Sequence, residues 1–173
     1  MNSKISERLK TIYDQLIPNS DVWDFCCDHG YLGAAAYKSK NFKNIYFVDQ
    51  VPTIIEKLKN RFQKYVYDQS YQNEAVFICE DAKSLKLKNT LKITGNLCIA
   101  GVGGLTIIEI LESLNKNNVL DADRVILGPH RDGDKVLIFL AGIKSLQLAN
   151  KIEVIEKSRI RNILVFNRVT HVG

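Results

Sequence analysis

The stretch VWDFCCDHGYL, residues 22–32, joins a short apolar run to a polar turn and then to an alanine-rich segment. The run Val22–Cys26 predicts a buried strand, because it is short, apolar and contains aromatic and β-branched residues. The polar residues Asp28, His29 and Gly30 predict a turn, and a helix is expected from about Tyr31. A strand, a turn and a helix in this order predict the first half of a βαβ unit.

The same alternation continues along the chain. Four further apolar runs predict strands: Ile45–Val48, Ala75–Cys79, Leu97–Ala100 and Val125–Leu127. Helical spacing of apolar residues predicts helices before the first strand and after the second, fourth and fifth, the last over about Asp134–Leu148. Strands that alternate with helices predict a parallel sheet covered on both faces.

The end of the chain departs from this alternation. Ile152–Ile160 and Ile163–Val169 both predict strands and are almost contiguous, so they can pair only as an antiparallel hairpin. Five parallel strands followed by a hairpin are typical of class I methyltransferases more than of dinucleotide dehydrogenases. We therefore expect an α/β, Rossmann-like fold with a seven-stranded, mostly parallel sheet and a C-terminal antiparallel hairpin. Residues 1–173 are expected to form one domain, in which a helix within residues 1–20 packs on the sheet.

Composition limits the class of protein. The chain has 173 residues, 46% of them hydrophobic and 25% charged, which excludes a disordered or fibrous protein. No apolar run reaches the roughly 18 residues that a membrane span needs, and the N-terminus does not resemble a signal peptide. Four cysteines without a disulfide-like spacing, Cys26 and Cys27 being adjacent, indicate reduced thiols and a cytoplasmic location. The formal charge of +5 permits a nucleic-acid partner without requiring one.

Two unusual loops follow the first and fourth strands. In a doubly wound sheet the ligand binds outside the carboxyl ends of the strands, where the strand order reverses. If the order is 3-2-1-4-5, the reversal lies between the first and fourth strands, and Cys26–Gly30 and Ala100–Gly104 flank it. A single glycine-bearing loop often only permits a tight turn. Two such loops at the reversal point favour a ligand site.

The acidic residues at the strand ends indicate which ligand binds there. Cys26 and Asp28 stand where the dinucleotide fingerprint has its first two glycines, and a carboxylate repels a pyrophosphate. Asp24, Asp49 and Asp81 bring further negative charge. S-adenosylmethionine has a sulfonium, an ammonium group and a ribose diol but no phosphate, so an acidic pocket favours it over NAD. Asp49 is placed to accept both ribose hydroxyls, although any one of these acids alone could be a helix cap.

Four segments resemble one enzyme family. Asp24–Leu32 resembles the first motif, D-x-G-[ST]-D-H-[AG]-Y-L, of the bacterial tRNA (adenine(22)-N(1))-methyltransferases. Ile99–Gly104 resembles the I-A-G-M-G-G motif of that family, and Leu127–His130 resembles its L-Q-P-N motif. Ile5–Leu9 resembles the start of its opening helix. The resemblance follows the whole chain in order.

The resemblance implies a function and a set of site residues. It implies S-adenosylmethionine as the cofactor and N1 of a tRNA adenine as the methylated atom. No metal site is expected, because the cysteines form no C-x₂-C pair and Cys79 and Cys98 lie in predicted strands. The donor would be bound by ten residues: Asp24, Cys26, Asp28, His29, Asp49, Gln50, Asp81, Ala82, Ala100 and Gly101. The catalytic positions would be His29, Tyr31, Gly103 and Pro129. His130 and Arg131 would form an edge that faces the RNA.

Three departures from the family pattern keep alternatives open. Cys26 replaces a glycine, and Gly128 and His130 replace the amide residues of the L-Q-P-N motif. The helical coiled-coil domain that follows in the family is expected to be absent here. We therefore expect weak tRNA binding by this domain alone, unless a homo-oligomer or a basic partner protein assists. The alternatives are a small-molecule or protein acceptor, a donor-binding protein without catalysis, and an enzyme with a phosphate-bearing cofactor.

Overall fold

Strands and helices alternate along the chain, and a pair of strands completes it. A computed structural model of the protein describes residues 5–66, 73–85, 87 and 91–169. The expected helix within residues 1–20 covers Glu7–Asp14, and residues 1–4 lie outside the described residues. In chain order the elements are α1 (Glu7–Asp14), β1 (Val22–Phe25), α2 (Tyr31–Ser39), β2 (Ile45–Asp49), α3 (Pro52–Val66), β3 (Ala75–Cys79), β4 (Asn96–Ala100), α4 (Gly104–Lys116), β5 (Arg124–Gly128), α5 (Gly133–Ala141), β6 (Leu146–Glu156) and β7 (Arg159–Arg168).

The strands of the described residues form one seven-stranded sheet in the order β3-β2-β1-β4-β5-β7-β6. Strands β1 to β5 are parallel, and β7 pairs antiparallel with both β5 and β6. The expected fold is therefore confirmed, including the reversal of strand order between β1 and β4. The loops after these two strands lie side by side at the carboxyl edge of the parallel strands.

Buried side chains pack on both faces of the sheet. Alternation along β1 puts Trp23 and Phe25 in a cluster with α4 and α5, whereas Val22 belongs to a cluster with α1, α2 and α3. Helix α2 approaches β2 closely, because a Cβ on Gly33 would lie 2.4 Å from Cε1 of Phe47. This close packing holds the loop between β1 and α2 against the sheet.

Two expected boundaries were wrong. Helix α5 ends at Ala141 instead of near Leu148, and Leu148 already belongs to β6. A bulge between Leu148 and Asn150 shifts the pairing of β6 and hides the alternation typical of a strand. The hairpin turns at Lys157 and Ser158, with φ of 48° and 62°, instead of near residue 161. Two-residue hairpin turns with positive φ usually contain Asn or Gly, so this turn carried no recognisable sequence signal.

Candidate active site

A cavity of about 330 Å³ opens at the carboxyl edge of the sheet, beside the loops that follow β1 and β4. The ends of β1 to β4 and the first turns of α3 and α4 form its wall. Seven of the expected donor-binding residues line it: Cys26, Asp28, Asp49, Gln50, Asp81, Ala82 and Gly101. The strand ends thus bring together residues that are up to 75 positions apart in the sequence (101 − 26 = 75).

Three expected donor-binding residues lie elsewhere. The side chain of Asp24 is buried, and its Oδ2 accepts a 2.9 Å hydrogen bond from the backbone N–H of Gly33. Ala100 is half-buried at the end of β4 and packs with the cluster on the α2 face. His29 lines a neighbouring cavity of about 170 Å³. Asp24 therefore contacts the first turn of α2 and does not line the cavity.

The loop after β1 has an unusual backbone. Cys26, Asp28 and Gly30 all have positive φ, at 55°, 45° and 59°. A non-glycine residue in this region costs about 1–2 kcal/mol, so Cys26 and Asp28 both store strain. The backbone N–H of Gly30 donates to the carbonyl of Cys27 at 2.6 Å, which closes the turn. Gly30 also starts α2 without a capping side chain, and the Asp24 carboxylate supplies the missing acceptor instead.

Asp49 links the end of β2 to this loop. Its Oδ2 accepts a hydrogen bond from the N–H of Asp28 at 3.1 Å, and its Oδ1 accepts one from the N–H of Val51 at 3.0 Å. Only 9% of Asp49 is exposed, yet the residue borders the cavity. Each carboxylate oxygen has lone pairs for more than one hydrogen bond. Asp49 can therefore hold the loop and accept hydrogen bonds from a ligand at the same time.

The cavity is strongly acidic. Asp28, Asp49, Glu80 and Asp81 line it together with a single cation, Lys83. The ammonium group of Lys83 pairs with Glu109 on α4, so little of its charge is left to offset these carboxylates. Opposite charges attract strongly in a partly desolvated cleft. The cavity consequently favours a ligand with positive charge and disfavours a phosphate.

The pKa values of Cys26 and Asp24 are both raised by burial. Burial raises the pKa of the Cys26 thiol to about 12, with a further contribution from the nearby carboxylates of Asp49, Asp24 and Asp81. The thiol is therefore neutral at physiological pH. Burial also raises the pKa of Asp24 to about 7, against the hydrogen bond from Gly33, which lowers it.

None of the four expected catalytic positions lines the donor cavity itself. The rings of His29 and Tyr31 are 5.4 Å apart and exposed, and Nη2 of Arg61 donates to the His29 carbonyl at 2.7 Å. Gly103 lines a separate groove beyond the loop that follows β4, and Pro129 is buried. His29 and Gly103 thus lie in different recesses, which share residues with the donor cavity.

Sequence reasoning missed part of the wall. Val51 and Ile54, on the first turn of α3 or just before it, supply apolar surface, and Thr106 contributes from α4. The sequence did contain a signal for these residues, because they come shortly after Asp49 or after the Gly101–Gly104 loop. A helix that follows a strand begins at the same carboxyl edge of the sheet where the strand ends.

Among the described residues, no group of three or more His, Cys, Asp or Glu side chains is arranged to hold a metal ion. The four cysteines are free thiols. None of the helices in the described part of the chain is both long and apolar enough to cross a membrane.

Comparison with known proteins identifies the family. A family model described as a methyltransferase domain matches residues 5–164. The chain belongs to the methyltransferase domain family. No curated protein matches it in sequence.

Solved structures share the fold of this methyltransferase domain. TrmK from M. capricolum, in complex with S-adenosyl-homocysteine, superposes with a TM-score of 0.78 at 19% identity and covers 98% of this chain and 72% of its own. The B. subtilis m1A22 tRNA methyltransferase TrmK gives a TM-score of 0.76 at 21% identity, with 96% and 67% covered. Magnesium protoporphyrin IX methyltransferase from Synechocystis PCC 6803 gives 0.67 at 13% identity, with 94% and 82% covered.

Proposed function

We propose that this methyltransferase domain transfers the methyl group of S-adenosylmethionine to N1 of an adenine in tRNA. The observation that carries the proposal is the acidic cavity at the reversal of strand order, where Asp28, Asp49, Glu80 and Asp81 outnumber the paired Lys83. A tRNA acceptor is supported by the motifs around Asp24–Leu32 and Ile99–Gly104. It is also supported by the shared fold with the two TrmK enzymes.

The residues of the cavity fit this donor. When bound, S-adenosylmethionine supplies an electrophilic methyl group on a positively charged sulfur. Asp49 would accept hydrogen bonds from the ribose hydroxyls, while Asp28 and Asp81 would attract the positive charges. Ile54 and Val102 supply apolar surface for the adenine ring of the donor.

The chemistry asks the protein mainly for orientation and the exclusion of water. N1 of adenine carries a free lone pair at neutral pH, so no base must remove a proton before the attack. Good orientation can lower such a barrier by up to about 7–11 kcal/mol. The raised pKa keeps the Cys26 thiol protonated and therefore a poor competitor for the methyl group. His29 and Tyr31, exposed beside the cavity, are proposed to contact the target base.

The same proposal places the protein in the cytoplasm as a single domain over residues 1–173, acting on tRNA. The four free thiols fit that location. A homo-oligomer or a basic partner that assists tRNA binding stays a prediction.

Mass spectrometry of nucleosides tests the acceptor. Protein, S-adenosylmethionine with a labelled methyl group and unmodified tRNA transcript are incubated, and the digested RNA is analysed. The expected product is labelled N1-methyladenosine, which an A22→G transcript should not yield if the position matches that of the TrmK enzymes. Calorimetry tests the donor separately, and binding of NADH without binding of S-adenosylhomocysteine would overturn the proposal.

A second candidate is a methyltransferase with a small-molecule or protein acceptor. Gly128 and His130 favour it, because they replace the amide side chains that the tRNA enzymes carry at these positions. The Synechocystis enzyme, which shares the fold, is a magnesium protoporphyrin IX methyltransferase. Tight binding of S-adenosylhomocysteine together with no labelled tRNA would favour this candidate, or a donor-binding protein without catalysis.

A further inference from the structure

A second groove, of about 430 Å³, lies on the other side of the loop that follows β4. Gly101 and Val102 line both this groove and the donor cavity, so one loop separates the two. The remaining wall of the groove comes from the loop after β5 and from β7. Its charged and titratable wall residues are Arg131, Arg159, Arg161 and His130, with no carboxylate among them.

Backbone hydrogen bonds fix the loop after β5 beside the loop after β4. The N–H of His130 donates to the carbonyl of Val102, and the N–H of Gly104 donates to the carbonyl of Arg131, both at 2.9 Å. A Cβ on Gly104 would lie 2.5 Å from the carbonyl oxygen of Asp132, so the glycine permits this close approach. The side chain of Arg131 thereby lies against Gly103, since a Cβ added to Gly103 would be 3.3 Å from Nε of Arg131.

The hairpin supplies the other cations. Arg161 donates from Nη1 to the carbonyl of His130, which fixes β7 against the same loop. Arg159, two residues earlier, is exposed, and no carboxylate of the described residues forms an ion pair with it. Both arginines point to the groove because side chains two residues apart lie on the same face of a strand.

Nearby carboxylates offset only part of this charge. Glu156 lies between Arg8 and Arg161, at 3.5 Å and 4.0 Å from their Nε atoms, so two cations share one carboxylate. The Nε of Arg161 is buried and makes no hydrogen bond within the described residues. Asp132 lies 3.8 Å from Nε of Arg131 and 3.0 Å from Nζ of Lys135, so these two cations also share one carboxylate. The pKa of His130 is lowered by burial and by Arg8 and Arg161.

We propose that the groove formed by Arg131, Arg159 and Arg161 binds a phosphodiester of the RNA acceptor next to the methylated adenosine. This inference rests on the proposed function. A cationic donor suits the acidic cavity on one side of the Gly101–Gly103 loop, and a polyanionic acceptor suits the basic groove on the other. Guanidinium groups bind phosphate oxygens through paired hydrogen bonds, which orient the backbone as well as attract it. Orientation of the backbone would place the adjacent base toward the donor.

The test compares two variants that lose the same charge. Arg131→Gln with Arg159→Gln removes two exposed cations from the groove, and Lys43→Gln with Lys116→Gln removes two exposed cations elsewhere. Filter binding of a tRNA transcript across a salt series gives the affinity and the log–log salt slope of each. Each lost phosphate contact lowers the magnitude of that slope by about 0.7–0.9.

We expect the arginine variant to show a salt slope that is smaller in magnitude by at least the amount of one phosphate contact. It should also bind tRNA several-fold more weakly and have a raised KM for tRNA. Its affinity for S-adenosylhomocysteine and its melting temperature should stay unchanged, which excludes misfolding. Equal salt slopes and equal tRNA affinities for the two variants would overturn the proposed role of the groove and leave the proposed function intact. A wild-type protein that binds S-adenosylhomocysteine but no tRNA at low salt would overturn the proposed acceptor, and the groove with it.

Discussion

The backbone N–H of Asp28 donates a hydrogen bond of 3.1 Å to Oδ2 of Asp49. Asp49 ends β2, and Asp28 lies in the loop after β1, so one carboxylate connects two neighbouring strand ends at the cavity. The carboxylate also accepts from the N–H of Val51 at the start of α3. Loss of this side chain should therefore affect the shape of the site as well as its charge.

We expect Asp49→Ala to weaken binding of S-adenosylhomocysteine by more than about tenfold. Charge-assisted hydrogen bonds contribute about 1.5–3 kcal/mol each, and about 1.4 kcal/mol corresponds to a factor of ten. Calorimetry measures the affinity, and Asp134→Asn, an exposed carboxylate on α5, is the control for charge. Unchanged affinity in a folded Asp49→Ala protein would remove Asp49 from the donor site.

Substitutions of Cys26 should distinguish the effect of its strained backbone from the effect of its thiol on stability and donor binding. Cys26→Gly relieves a positive φ that costs about 1–2 kcal/mol but adds about 0.5–1 kcal/mol of chain entropy to the unfolded state. We therefore expect nearly unchanged stability and retained or improved donor affinity. Cys26→Ala removes the thiol but keeps the strain, so it serves as the comparison. Complete loss of donor binding in Cys26→Gly alone would mean that the cysteine holds the loop in a way glycine cannot.

The buried carboxyl of Asp24 should make stability depend on pH. Its pKa is about 7 in the folded protein and about 4 in the unfolded chain, so the folded state binds more protons between these values. This contribution to stability is complete below pH 4 and is lost as the pH rises to 7. His130 acts in the opposite direction, because its pKa is lowered on folding.

Asp24→Asn isolates the contribution of Asp24 to the pH dependence of stability. The substitution removes the titrating group and keeps an oxygen that can accept the hydrogen bond from the N–H of Gly33. The free energy of unfolding of the variant minus that of the wild type should increase from pH 5 to pH 8, by an amount on the order of a few kcal/mol. Urea unfolding of both proteins at the two pH values gives the difference. A difference that does not change with pH would show that Asp24 does not titrate in this range.

Gly33→Ala should destabilise the protein by about 1–3 kcal/mol, as over-packed cores do. The reason is the missing space between α2 and the ring of Phe47, which a Cβ would reach at 2.4 Å. Gly133→Ala is the matched control, because the nearest atom to a Cβ there is 3.5 Å away. Thermal melting of both variants checks the difference, and Phe47→Leu in the Gly33→Ala background should recover part of the loss.

The parallel part of the fold was predictable from the sequence because its signals are local. The run Ala75–Cys79 is the strand β3 residue for residue, and α3 begins at Pro52, a residue type that is common at the first helical position. The parallel direction of strands β1 to β5 followed from the alternation of strands with helices, whereas their order 3-2-1-4-5 was an assumption that the structure confirms. The turn at Lys157 and Ser158 was missed, because neither residue type signals positive φ.

Site residues at the ends of strands could be predicted from the sequence. Site residues whose place depends on the direction of a side chain or on the pairing of distant strands could not. Asp49 and Asp81 border the cavity because Asp49 ends β2 and Asp81 lies two residues after the end of β3. Asp24 does not, since alternation turns it to the opposite face from Trp23 and Phe25, toward α2. Arg159 could not be connected to the site in advance, because its place depends on the pairing of β7 with β5.

Strand β7 is later in the sequence than β6, yet it lies between β6 and β5. During translation β6 leaves the ribosome first and has no neighbour in the sheet until β7 follows. Helix α1, which precedes β1 in the sequence, packs against α2 and against both strands of this hairpin. Ile12 and Leu16 share a buried cluster with Val154, Ile163 and Val165 of the hairpin, so this side of the core stays incomplete until β7 has been made and has paired.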